Sequence, residues 1–204
     1  MEIYVTDDRL GGYFRRYQLA LRMMSHGART QTVISWSGLT RDQLVTQRRR
    51  WGFEPEDRQR GPAPRAFHVF FKSRRHRSEA SLFASICQIM GAMPPREGAQ
   101  AAKRLPSLDY GELLCEALEA FQEWEPGADL DFERAVLLAS GVVHAEQVRL
   151  RKCSDCQAAT LVEGTRGVYA NCGFCARLSS IEATRSARQE PDRRVIDDHK
   201  DVKP

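Results

Sequence analysis

The sequence has no run approaching the roughly 18 consecutive apolar residues a membrane-spanning helix needs. Its first ten residues carry Glu2, Asp7 and Asp8 with no apolar leader segment, which predicts an intracellular, cytoplasmic chain. Aromatic residues make up only 8% of the chain, too few to favour a β-sandwich, while 42% hydrophobic residues exclude disorder throughout. Catalytic signatures are missing as well. There is no phosphate-cradling glycine loop, no G-x-S-x-G and no H-E-x-x-H, and His26, His68, His144 and His199 have no nucleophile or ligand at a useful spacing. An enzyme is therefore not expected. Internal repeats and low-complexity tracts are also lacking.

Charge is absent locally rather than overall. The 204 residues carry 31 Lys+Arg against 27 Asp+Glu, a net charge of +4. From Arg65 to Arg77, however, there are five basic residues and no acid, and from Lys103 to Glu133 nine acids face only Lys103 and Arg104. A basic face attracts phosphates and an acidic one repels them. Nucleic-acid contacts are accordingly expected in the first third or near the carboxyl end.

The apolar periodicity predicts a mainly α protein: a helical bundle with a helix-turn-helix-like amino-terminal region and a four-cysteine zinc ribbon near the carboxyl end. A first helix follows Phe14, Tyr17, Leu21, Met24 and Ala28 and ends near Gly27. A short one spans residues 29–36, and a third, 41–51, starts after Thr40 with Gln43 as capping-box partner. Residues 52–64, rich in glycine and proline, read as a loop, and 66–71 as a short strand or a wedge of buried aromatics. Further helices are predicted over 79–90, over 108–124 after the cap Ser107, and over 131–143. The expected organisation is a helix-turn-helix-like segment (13–52), a bundle with a partner interface (65–150), the ribbon (151–180) and a polar tail (183–204) without order.

Six cysteines in a chain with no sign of export are not expected to form disulfides. Four of them, Cys153, Cys156, Cys172 and Cys175, make C-x2-C-x15-C-x2-C, the spacing of a four-sulfur zinc site. Two thiolates on one tight turn reach an ion from one side, and a second turn completes the tetrahedron. The β-prone stretches 160–162 and 168–170, joined by the turn 164–167, fit a ribbon carrying one zinc ion per chain, with Gly173 relieving strain in the second turn. Four filled positions leave no place for a reactive water, so the metal is read as structural. Cys87 and Cys115 lie on apolar helix faces and are expected in the core.

Residues 31–44 have the outline of a helix-turn-helix, with Gly38 at the turn. Its second helix offers Arg41, Gln43, Thr46, Gln47, Arg48, Arg49 and Arg50, the side-chain types that reach base edges and phosphates. Ile34 stands where a small residue is usual, and Gln47 where an apolar one is. A basic helix packed in a bundle is the plainer alternative. The run 72–77, with Arg74 and Arg75, is a second candidate phosphate contact.

The sequence resembles the FlhC family, the zinc-containing subunit of the bacterial flagellar transcriptional activator, from about Tyr17 to Cys175. The resemblance rests on residues 24–31 (MSHGARTQ), the Gly/Pro loop before Phe70-Phe71, the stretch 79–83 (EASLF), the helix ending SGVV at 140–143, and the four cysteines that follow it. It implies a mainly helical fold with zinc on the four cysteines. It also implies assembly with a small helical FlhD-like partner, binding to promoter DNA, and recruitment of RNA polymerase to flagellar genes. The loop 61–65 and the region 91–108 depart from the family pattern. A zinc-ribbon scaffold whose acidic helices, 107–133, bind a protein partner is the alternative, as is a regulator of a non-flagellar regulon.

Overall fold

The computed structural model describes residues 7–54, 61–93, 105–144, 147–164, 172 and 175, with the backbone alone at 7–10. Six α-helices and a two-stranded hairpin occupy these stretches: α1 (Asp7–Ser25), α2 (Thr30–Ser37), α3 (Arg41–Arg50), α4 (Arg74–Ile89), α5 (Leu108–Trp124), α6 (Phe132–His144), β1 (Val148–Lys152) and β2 (Ala159–Glu163). The fold is mainly helical, as the periodicity predicts.

Helix α5 is the hub and packs against α1, α2, α4 and α6. Its buried positions, Gly111, Leu114, Cys115, Ala117, Leu118 and Phe121, recur at the three- and four-residue spacing that keeps one helix face toward the core. Burying a side chain such as Phe121 stabilises the fold by about 1.5–3 kcal/mol, and its ring meets Phe83 of α4 edge-on at 5.6 Å. At Gly111 the neighbours come in close: an added Cβ would stand 2.7 Å from Leu19 Cδ2 and 3.3 Å from Trp36 Cε3. A side chain there would push α1 and α2 off the hub.

The opposite face of α5 carries its acids, and α1 meets them with bases in matching register. Arg15 bonds Asp109 and Glu112, Arg22 bonds Glu119 and lies near Glu116, and His26 bonds Glu119. Because positions rise together on both helices, α1 and α5 run parallel. Each half-exposed pair contributes little energy, roughly 0–1 kcal/mol, yet the set opposes any other register. Part of the acidic stretch 107–133 is thereby engaged within the fold. Glu133 is buried, and Asp129 and Asp131 pair with Arg134.

Local signals explain the helix starts. Ser107 accepts the Tyr110 N–H and Ser73 the His76 N–H, each as N-cap. Asp131 Oδ1 accepts the Arg134 N–H at 2.8 Å ahead of α6. Because Ser73 caps it, α4 begins five residues before the predicted start and takes in the basic run. Residues 67–71 form a 3-10 turn and not a strand, with Phe70 buried beneath it.

The hairpin differs from the predicted ribbon. The first cysteine pair lies in the loop between β1 and β2, and β1, unpredicted, precedes it. Helix α6 ends at His144, and β1 begins at Val148. Strand β2 covers the predicted 160–162, while 168–170, the turn 165–167, Gly173 and the tail 183–204 lie outside the described residues. No helix among the described residues is long and apolar enough to cross a membrane.

Candidate metal centre and nucleic-acid interface

The β1–β2 loop folds because two backbone bonds close it. Cys153 N–H donates to Ala158 O at 2.9 Å, and Gln157 N–H to Cys153 O at 3.1 Å, with Gln157 in the left-handed region at φ 63°. The loop sets Cys153, buried, beside Cys156, exposed, and brings both to Cys172 and Cys175. The four Sγ atoms lie within 4.8 Å of one another, and Cys156 and Cys172 are 3.5 Å apart. Metal–sulfur bonds of about 2.3 Å in a tetrahedron require sulfur separations of about 3.8 Å, so the cluster fits a metal ion. Backbone N–H groups point inward as well: Cys172 N–H meets Cys153 Sγ at 3.3 Å, and Cys175 N–H meets Cys172 Sγ at 3.4 Å. Backbone donors at Cys156, Cys172 and Asp155 pull the Cys153 thiol down to about 6, whereas hydrogen bonds among the crowded sulfurs push Cys156 and Cys175 up, so it is the geometry that carries the metal reading. Cys87 and Cys115 are in the core as expected. Burial pushes both thiols up, Cys115 to about 12, so neither is poised to bind or react.

Helices α2 and α3 form a helix-turn-helix-like hairpin. Gly38 ends α2 in the left-handed region at φ 68°, a conformation that glycine alone adopts without cost, and its N–H returns to Ile34 O. Thr40 and Gln43 then make the predicted capping box. Thr40 Oγ1 accepts the Gln43 N–H at 3.3 Å, and Gln43 Oε1 accepts the Thr40 N–H at 2.9 Å, a device worth about 1 kcal/mol. Val33, Leu39 and Leu44 close the hairpin from inside.

The amino terminus of α2 is held from a distance. Arg29, its N-cap, offers no side-chain cap, and Glu133 of α6 fills the role: its carboxylate accepts the Arg29 N–H at 2.7 Å and the Thr32 hydroxyl at 2.9 Å. A buried carboxylate at a helix start is favoured by the helix dipole. Glu133 thereby ties the hairpin to the bundle, a role that spacing cannot reveal across a hundred residues.

The expected DNA contacts divide. Arg41, Thr46, Arg49 and Arg50 are exposed on α3. Gln47 is half-buried, and Gln43 is half-buried with its oxygen committed to the cap. Arg48 corrects the sequence reading: it is 4% exposed and lies over the Phe53 ring at 5.9 Å, so its charge faces the protein. Arg74 and Lys72 are exposed at the start of α4. Arg75, also exposed, bonds Glu79 at 2.6 Å and Gly127 O, so part of its capacity is spent within the fold. Sequence reasoning missed Arg149, Arg151 and Lys152 on β1, although the alternation Val148, Leu150 between basic residues carries the period of a strand.

No family model matches the chain, and no curated protein matches it.

Proposed function

We propose that this chain is a zinc-containing, DNA-binding subunit of a transcriptional activator, as its resemblance to the FlhC family implies. The observation that carries the reading is the α2–Gly38–α3 hairpin, capped at both helix starts and presenting Arg41, Thr46, Arg49 and Arg50 on one exposed helix. Basic residues near the end of α3 also suit its dipole, so their presence there has a structural reason too. At the start of α4, by contrast, exposed Arg74 opposes the dipole with no acid in the first turn, while Arg75 and Arg77 are committed within the fold. That arrangement favours an external anion such as a phosphate backbone.

Zinc is the metal this reading assigns to Cys153, Cys156, Cys172 and Cys175. An all-sulfur set suits a tetrahedral soft-ligand site, and its four ligands leave no open position for catalysis. The metal's part is to hold the hairpin loop against the second cysteine pair. The helical FlhD-like partner has a candidate seat on α1, where Phe14 is 63% and Leu21 37% exposed, seven residues apart on one face. Recruitment of RNA polymerase to flagellar promoters, in the cytoplasm, completes the assignment. The acidic-scaffold alternative is weakened because Asp109, Glu112, Glu116 and Glu119 of α5 face Arg15 and Arg22 of α1.

Co-expression with an FlhD-like partner, followed by fluorescence anisotropy on flagellar promoter DNA across a salt series, tests the reading. Log affinity should fall with log salt by about 0.9 per phosphate contacted. A flat salt response, or equal affinity for promoter and random DNA, would overturn it.

A further inference from the structure

Helix α4 and the hairpin meet along one polar seam. The bonds Gly164 N–H to Gln147 O and Cys153 N–H to Ala158 O fix the ladder's parity. Leu150 and Leu161 then face each other as a non-hydrogen-bonded pair, and the Leu161 peptide groups point away from β1. An unpartnered strand edge is a liability. Here α4 supplies both missing partners: Ser81 Oγ accepts the Leu161 N–H at 2.8 Å, and Arg77 Nε donates to Leu161 O at 2.9 Å.

Arg77 does more than close the edge. Its guanidinium is half-buried against the hairpin and reaches Thr160 Oγ1 at 3.5 Å. Burial disfavours its charge, and the sulfurs of Cys172 and Cys153 act in the opposite sense. Four thiolates around one divalent ion leave two negative charges in excess. Arg151 and Lys152 are exposed, where salt screens their charge more strongly than at a half-buried site. Arg77 is a cation held in place by the fold, anchored through two β2 residues just past the Cys153–Ala158 loop.

We propose that Arg77 is the positioning residue of the metal centre: it supplies positive charge that the four thiolates leave uncompensated while clamping β2 to α4, so that metal loading and docking of the hairpin on the bundle stabilise each other. This rests on the metal reading of the four cysteines above. It also makes the ion a determinant of where Arg74 and Lys72, one turn before Arg77, are presented.

Cobalt(II) loading of the full chain provides the test, since sulfur-to-cobalt absorption reports a four-sulfur site directly. Three variants separate charge from docking: R77M removes both the charge and the fork, R77K keeps the charge, and S81A breaks the same seam without touching charge. In competition with a chelator, R77M should lower metal affinity by about 10–100-fold, the usual effect of losing a group that supports metal ligands. R77K should recover most of that loss, and S81A should stay within a few-fold of the parent chain. R77Q replaces R77M in the comparison if the latter does not fold, as judged by its helical circular dichroism. Equal losses in R77M and S81A, or an unchanged affinity in R77M, overturn the proposal. A parent chain that never develops the four-sulfur spectrum instead overturns the metal reading on which it rests.

Discussion

Gly141→Ala tests how the hairpin is held to the bundle. In an open helix position, replacing glycine by alanine stabilises by about 1 kcal/mol, because alanine loses less backbone freedom on folding. Gly11 on α1 is such a position, with nothing within 4 Å of an added Cβ. At Gly141 the same atom would overlap Phe67 Cε1 and stand 2.7 Å from Phe67 Cζ and 2.8 Å from Val148 Cγ2. Ordinary carbon contacts are about 3.5–4.0 Å, so the Phe67 ring and β1 must retreat by about 1 Å. Overpacking of this kind costs about 1–3 kcal/mol, which outweighs the helix gain. Gly141→Ala should therefore destabilise by about 1 kcal/mol while Gly11→Ala stabilises by a similar amount. In a chain of this size each kcal/mol moves the melting temperature by about 2–4 °C, so the two variants should separate by about 4–8 °C. Thermal melts followed by circular dichroism measure this, and Phe67→Leu should relieve the clash in the double variant. Two variants rising together would refute the close approach of α6, the 3-10 turn and β1.

Four further outcomes follow from the same geometry. Glu133→Gln keeps the shape but removes the charge that caps α2; it should cost about 1–2 kcal/mol in urea unfolding and weaken DNA binding in parallel, and an unchanged midpoint would deny Glu133 the capping role. Stripping the metal with a chelator, or Cys153→Ser, should abolish amide protection in 148–163 while the α5 core keeps its own, as read by hydrogen exchange; uniform loss or no loss contradicts the separate hairpin. Alanine at Arg49 and Arg50 together should weaken binding to all DNA and flatten the salt slope by about 0.9 per lost contact, and alanine at Arg41 should change base preference, whereas Arg48→Ala should lower stability first because its side chain is buried; equal effects on binding from all of them would reject the division. Arg22 holds the Glu119 carboxyl below its ordinary value, with burial opposing and His26 assisting. The folded-state value is thus the lower one, so this contribution is present above the unfolded value of about 4.3 and lost as pH falls below it; Glu119→Gln should flatten the acid limb of the stability curve there, and an unaltered limb would show the pair to be inert.

Much of this architecture is legible along the chain because its determinants are local. Ser107, Thr40 with Gln43, and Gly38 act within four residues of themselves, and the helix boundaries they imply are the observed ones. The cysteine spacing is local in the same sense, since each pair sits on its own turn. What could not be read is long-range. Nothing near Glu133 announces that it caps a helix starting at Thr30, and nothing near Arg48 announces that Phe53 covers it. Strand β1 was hidden for another reason: its basic residues dominate its composition, although its two apolar positions alternate as a strand's do.

The charge pattern shows how far such composition can mislead. Segment counts separate a basic stretch from an acidic one and suggest two surfaces for two partners. In the fold, four α5 acids, Asp109, Glu112, Glu116 and Glu119, are answered by Arg15 and Arg22 of α1 and by His26 just after it, so part of the opposition is an internal interface. Arg48 and Arg77 are likewise directed into the protein, against Phe53 and Leu161, and Arg75, though exposed, is tied to Glu79. Among the described residues, the cations that face outward include Arg16 on α1, Arg41, Arg49 and Arg50 on α3, Arg65, Lys72 and Arg74 before and on α4, and Arg151 and Lys152 on β1. On the described surface, a polyanion would meet these outward cations and not the run of basic residues as written. Neutralising the inward cations should change stability and metal retention before affinity, whereas neutralising the outward ones should change affinity at constant stability. A phosphate-binding surface and a structural charge network are thereby separable by experiment, residue by residue.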